Sequence, residues 1–89
     1  MRGHPVRVSV LYFASLRDRA GREQEQLDLP DGADLSALAA ELEARHPPLA
    51  GALGHVRFAV NQEFVPPAAR LRERDEIALI PPVSGGSAP

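Results

Sequence analysis

The chain has 89 residues, about one domain, with 44% hydrophobic and 25% charged residues and a net charge of −2. A domain this small has little room for an internal catalytic cleft, so function is expected on a surface or at an end. The acidic balance gives no electrostatic case for nucleic acid, the absence of cysteine excludes thiolate chemistry and disulfides, and no apolar stretch is long enough to span a bilayer.

The first strand is read from VRVSVLYF. Val6, Val8, Val10 and Tyr12 alternate with Arg7, Ser9, Leu11 and Phe13. The first set is expected to face the core. The second set begins polar and turns apolar at Leu11 and Phe13, a pattern that marks a contact surface. ASLRDRAGREQ is charged and broken by Gly21, so it reads as a turn or short helical turn and a loop. QEQLDLP supplies a second strand, Glu25 to Leu29, that pairs with the first through a long connection.

Asp34 is placed to cap a helix whose apolar stripe is Leu35, Leu38, Ala39, Leu42 and His46. Glu41, Glu43 and Arg45 are expected to face water, and Pro47-Pro48 ends the helix. LAGALGH is a loosely helical connector. Val56 to Val60 is a third strand, Asn61-Gln62 a turn, and Glu63 to Val65 a brief edge strand closed by Pro66-Pro67. ARLRERDE is expected to be a solvated polar loop. Glu76 to Ile80 is the last strand, with Ile77 and Leu79 on one face and Ala78 and Ile80 on the other. The order β-β-α-β-(β)-β implies an α+β fold: a β-grasp, ubiquitin-like mixed sheet of four to five strands on one main helix. The domain spans 1–82, and 83–89 is expected to be a flexible tail with Gly85-Gly86 and a three-residue extension.

Little in the body suggests chemistry. His4, His46 and His55 lack metal-site spacing and read as structural or solvent-exposed. The serines lack a nucleophile elbow with a nearby histidine. Glu73, Asp75 and Glu76, set among Arg70, Arg72 and Arg74, read as a charged loop, and Gly51 and Gly54 are too sparse for a phosphate cradle. Neither a metal nor a cofactor is expected on this chain. The tail is the exception. Pro81-Pro82 stiffen its root, and Gly85-Gly86 give a slim stretch that suits threading a narrow channel to deliver a reactive terminus. All ten basic residues are arginine, which fits a GC-rich genome and also leaves the chain without lysine acceptors of its own.

VLYFASLRDRAG, AVNQEFV and LRERDEIALIPPVSGG together resemble the small, sulfur-carrying subunit of molybdopterin synthase, the MoaD family within the MoaD/ThiS ubiquitin-like superfamily. The resemblance runs in order over nearly the whole chain. Its specific parts are the FAxxR element, Phe13 to Arg17, and the PPVSGG ending; thiazole sulfur carriers lack the former. The resemblance implies a cytoplasmic carrier that is not catalytic alone. Gly86 would be adenylated by an ATP-using, ubiquitin-activating-like enzyme (MoeB/ThiF-like) and thiocarboxylated with sulfur from a donor. It would then pass that sulfur to a pterin precursor in the large (MoaE-like) subunit. Gly85 would keep the passage slim. Phe13, Arg17, Phe64, Ile80, Pro81, Pro82 and Val83 match positions that dock on partners.

Two positions depart from the pattern. Arg74 stands where a glycine is usual, so a turn needing positive φ would be strained or rebuilt. Ser87-Ala88-Pro89 follow Gly86 and hold its carbonyl in a peptide bond, which implies a processing protease. Three readings stay open: a processed sulfur carrier, of the molybdopterin or thiazole kind; a ubiquitin-like protein modifier joined through Gly86; and a non-carrier interaction module.

Overall fold

The structure is a computed structural model and describes residues 4–82. The tail residues Val83, Gly85, Gly86 and Ser87 to Pro89 lie outside the described residues.

Five strands and two helices form in the order β1 (Val6–Tyr12), α1 (Ala14–Ala20), β2 (Gln24–Leu29), α2 (Leu35–Arg45), β3 (Arg57–Val60), β4 (Glu63–Val65), β5 (Glu76–Ile80). A short 3₁₀ turn, Pro47–Leu49, follows α2. The strands make one mixed sheet in the order β2-β1-β5-β3-β4. β1 and β5 run parallel at its centre, and the other pairs are antiparallel. The expected α+β, β-grasp architecture is the one found.

Alternation explains the core. Val6, Val8, Val10 and Tyr12 of β1, Leu27 and Leu29 of β2, Phe58 of β3, and Ile77 and Leu79 of β5 are buried on one sheet face. α2 covers them with Leu35, Leu38 and Leu42. The Asp34 side chain caps this helix by accepting from the Ala37 amide at 2.9 Å. His46, unable to stay helical before Pro47, closes it by donating its amide to the Leu42 carbonyl at 2.9 Å.

Two expectations need correction. ASLRDRA is a full two-turn helix, longer than the turn or short helical turn expected. Seven mostly polar residues do not hold a helix alone. Here Leu16 is buried in the core, Arg19 donates to the Pro48 carbonyl at 3.0 Å, and Gly21 ends the helix at φ 74. The connector after α2 also reaches the core, where Leu49 and Leu53 are buried. The loop ARLRERDE is solvated only in part. Leu71 and Asp75 are buried within it. The Asp75 carboxylate accepts from the Arg72 amide at 2.8 Å and from Asn61 Nδ2 at 3.0 Å, so the acid is compensated by donors that sequence spacing does not show.

The turn Asn61-Gln62 is as expected, with positive φ at both residues (52° and 75°), the hairpin geometry whose twist matches the flanking strands. Arg74 keeps the backbone that a glycine would adopt, at φ 70. The turn is therefore strained rather than rebuilt, and the Arg74 amide donates to the Arg7 carbonyl at 2.7 Å.

Candidate functional site

The sheet face turned away from α2 is graded along its length. One row crosses all five strands: Gln24 pairs with Leu11, Leu11 with Ala78, Ala78 with Ala59, and Ala59 with Phe64. These residues share the outer face because each alternates with a core residue on its own strand. The next row toward the end of β5 holds Ile80 paired with Arg57, with Phe13 continuing β1. At the opposite end the face is polar, with Ser9 between Gln26 and Glu76, and Arg7 bridged to Asp28 at 2.9 Å.

The apolar half has a saddle shape. Small Ala78 and Ala59 lie in the middle, while Phe13 and Phe64 rise on either side at 45% and 56% exposure. They are the two exposed large hydrophobic residues among those described. Leu11, Ala78 and Ile80 are half-buried. Two isolated exposed aromatics would be ordinary, but two flanking a continuous apolar row make a patch suited to association.

Phe13 stands where it does because of a backbone reversal. Ala14 has φ 51, a conformation that favours glycine, and it turns the chain from β1 into α1. Arg17, exposed on α1, thereby lines a hollow with Leu11, Phe13, Ala14, Glu23 and Gln24. Ile80, the last residue of β5, lies between Phe13 and Arg57, and Pro81 and Pro82 leave the sheet beside it. The structure thus brings Phe13, Arg17, Phe64, Ile80, Pro81 and Pro82 to one end of one face. Val83, Gly85 and Gly86 lie outside the described residues.

The site's support is polar and half-buried. Tyr12 donates its hydroxyl to Glu25 Oε2 at 2.6 Å, His46 Nε2 meets the same oxygen at 2.8 Å, and Arg22 Nη1 donates to Glu25 Oε1 at 3.1 Å. Burial pushes the Tyr12 phenol up, and its bond to Glu25 and that carboxylate's charge raise it further, so it stays a donor. Burial alone pushes the Glu25 carboxyl up as well. The bonds from Tyr12 and His46 and the charges of His46 and Arg22 outweigh it and hold the group below its ordinary value. His46, expected to be structural or exposed, has this structural role, edge-on to Tyr12.

Two residues escaped sequence reasoning. Ala14 carries no signal of its left-handed backbone. Arg57 carries one: alternation in VRFAV points it outward. Its guanidinium carbon sits 4.0 Å from the Phe64 ring centroid. Among the described residues no group of three or more His, Asp or Glu is placed to hold a metal, and no helix is long and apolar enough to cross a membrane. What the face offers is apolar area, two arginines and the root of a tail, which suits docking.

Residues 10–86 match the ThiS family model. The molybdopterin synthase sulfur carrier subunit of Chlamydomonas reinhardtii is 42% identical over 83 residues, spanning 91% of this chain and all of that protein. Among solved structures, the small archaeal modifier protein 1 of Methanosarcina acetivorans superposes with a TM-score of 0.80 at 26% identity, covering 94% of this chain and all of that one. A chain from the complex of subunits 1 and 2 of the molybdopterin-converting factor of Helicobacter pylori superposes with a TM-score of 0.64 at 27% identity. It covers 91% of this chain and 100% of that one.

Proposed function

The chain belongs to the ThiS family, and we propose that it is the sulfur carrier subunit of a molybdopterin synthase, a non-catalytic partner of a large subunit. The observation that carries this reading is the 42% identity along the whole length of a sulfur carrier subunit. Support also comes from the apolar half-face, from which β5 runs into PPVSGG, and from a family match that ends on Gly86.

In this reading Gly86 carries the sulfur. Ser87 follows it in the sequence, so a protease first hydrolyses that peptide bond and frees the carboxylate. On an adenylating enzyme the carboxylate attacks the α-phosphorus of ATP, pyrophosphate leaves, and an acyl adenylate forms. Hydrosulfide supplied by a sulfur donor attacks the acyl carbon, AMP leaves, and a thiocarboxylate forms. In the large subunit the sulfur displaces an oxygen substituent from a carbon of the pterin precursor, and water then hydrolyses the resulting thioester, leaving the thiol on the precursor and restoring the carboxylate. Phe13, Arg17, Phe64, Ile80, Pro81, Pro82 and Val83 hold the partners, and Gly85 keeps the tail slim. The 1–82 body is the docking domain, 83–86 the delivered segment and 87–89 the extension removed beforehand. ATP is bound by the activating partner, and the compartment is the cytoplasm.

The likeness to an archaeal modifier protein favours a second reading, in which Gly86 is joined to amines on other proteins. Intact mass and C-terminal fragmentation of the untagged protein from its own cells test both. Chains ending at Gly86 with one sulfur in place of oxygen are the expected result. A Gly86-lysine remnant supports conjugation. Chains that all retain Ser87 while the pathway works would overturn the carrier reading.

A further inference from the structure

We propose that Arg57 is a docking residue, held on the Phe64 ring to receive a carboxylate of the large subunit beside the root of the tail. The inference rests on the carrier reading above. Arg57 opens β3, is exposed, and pairs with Ile80 on the outer face. Phe64 pairs with Ala59, two residues further along β3 on the same face, so the arginine reaches the ring diagonally across the β3–β4 ladder.

The contact sets the guanidinium over the ring, and no hydrogen bond from its N–H groups is seen among the described residues. Arg7, Arg22 and Arg45 are bridged to Asp28, Glu25 and Glu41, and Arg19 is bonded to a carbonyl. Among the described residues Arg57 has no such acceptor. Shielding the ring does not account for the stack, because Phe64 remains 56% exposed beneath it.

The chain carries a net charge of −2, yet its apolar half-face presents Arg17 and Arg57 on either side of Ile80. The complement of that pattern is acidic. When a partner covers the face, water leaves, and both the ion pair and the cation–π contact strengthen. A guanidinium already fixed in place loses less freedom on binding than a free arginine would.

The test titrates untagged chains into the large synthase subunit from the same cells by calorimetry. Arg57→Gln is expected to weaken binding about tenfold and Arg57→Glu further, with Arg57→Lys between Arg57→Gln and wild type. Binding by Arg57→Gln should fall less steeply with salt than that of wild type. The loss should shrink in a Phe64→Ala background, because the ring no longer positions the cation. Melting temperatures should stay within about 2 °C, since the side chain is exposed. Binding by Arg57→Gln and Arg57→Glu within about twofold of wild type would overturn the inference and leave the carrier reading intact. A wild-type chain that fails to bind the large subunit would overturn both.

Discussion

The Tyr12 hydroxyl donates to Glu25 at 2.6 Å, tying the last residue of β1 to the edge strand β2. Glu25 also meets His46 at the end of α2 and Arg22 just after α1. One carboxylate therefore closes the excursion that displays Phe13 and Arg17.

That carboxylate has a pH signature. Its folded value lies below the ordinary one, so its contribution to stability is complete above the ordinary carboxylate range. The contribution is lost as pH falls through the depressed folded value. Glu25→Gln should lower stability by about 1–2 kcal/mol at neutral pH. It should also flatten the acid limb of the melting-temperature profile, measured by calorimetry from neutral pH down to about pH 3.

Phe13 and Phe64 separate binding from folding. Each is about half exposed and outside the core, so Phe13→Ala and Phe64→Ala should change unfolding free energy by less than about 1 kcal/mol. Each should weaken capture by the large subunit at least tenfold. Leu38→Ala, fully buried on α2, should do the reverse and cost about 2–5 kcal/mol of stability. Urea unfolding beside calorimetric titration reads both quantities.

Arg74 holds φ 70, a backbone conformation that favours glycine. Arg74→Gly should stabilise the protein by about 0.5–1 kcal/mol, seen as a few degrees in melting temperature. A lower melting temperature would mean that the guanidinium has a stabilising role beyond its backbone.

The tail is tested by its chemistry. A chain ending at Gly86 should support ATP–pyrophosphate exchange with the adenylating enzyme, and a chain running on to Pro89 should not. Gly86→Ala in the shorter chain should lower the rate by about tenfold or more, because the carrier reading proposed above has this segment thread a narrow channel that a methyl group would crowd.

Much of the fold was legible in short stretches. Alternation marked the buried face of β1 and the bounds of β5. The cap at Asp34 and the prolines after His46 bracketed α2 to within a residue, and Asn61-Gln62 marked its hairpin. These signals act within a turn or between adjacent residues, so sequence carries them whole. Family resemblance pointed to Phe13 and Phe64, and both prove exposed; alternation independently placed Phe13 and Ile80 off the core.

The remainder depended on partners distant in the chain. α1 exists because Leu16 finds the core and Arg19 finds Pro48. Asp75 is buried because Asn61 and the Arg72 amide satisfy it. The half-face exists because β5 inserts between β1 and β3, which sets Leu11, Ala78, Ala59 and Phe64 in one row and brings Arg57 beside Ile80. By itself the sequence determined which residues alternate, cap and break. Tertiary structure decided which of them meet, because strand register is set when a whole face is buried at once, and no local propensity encodes it.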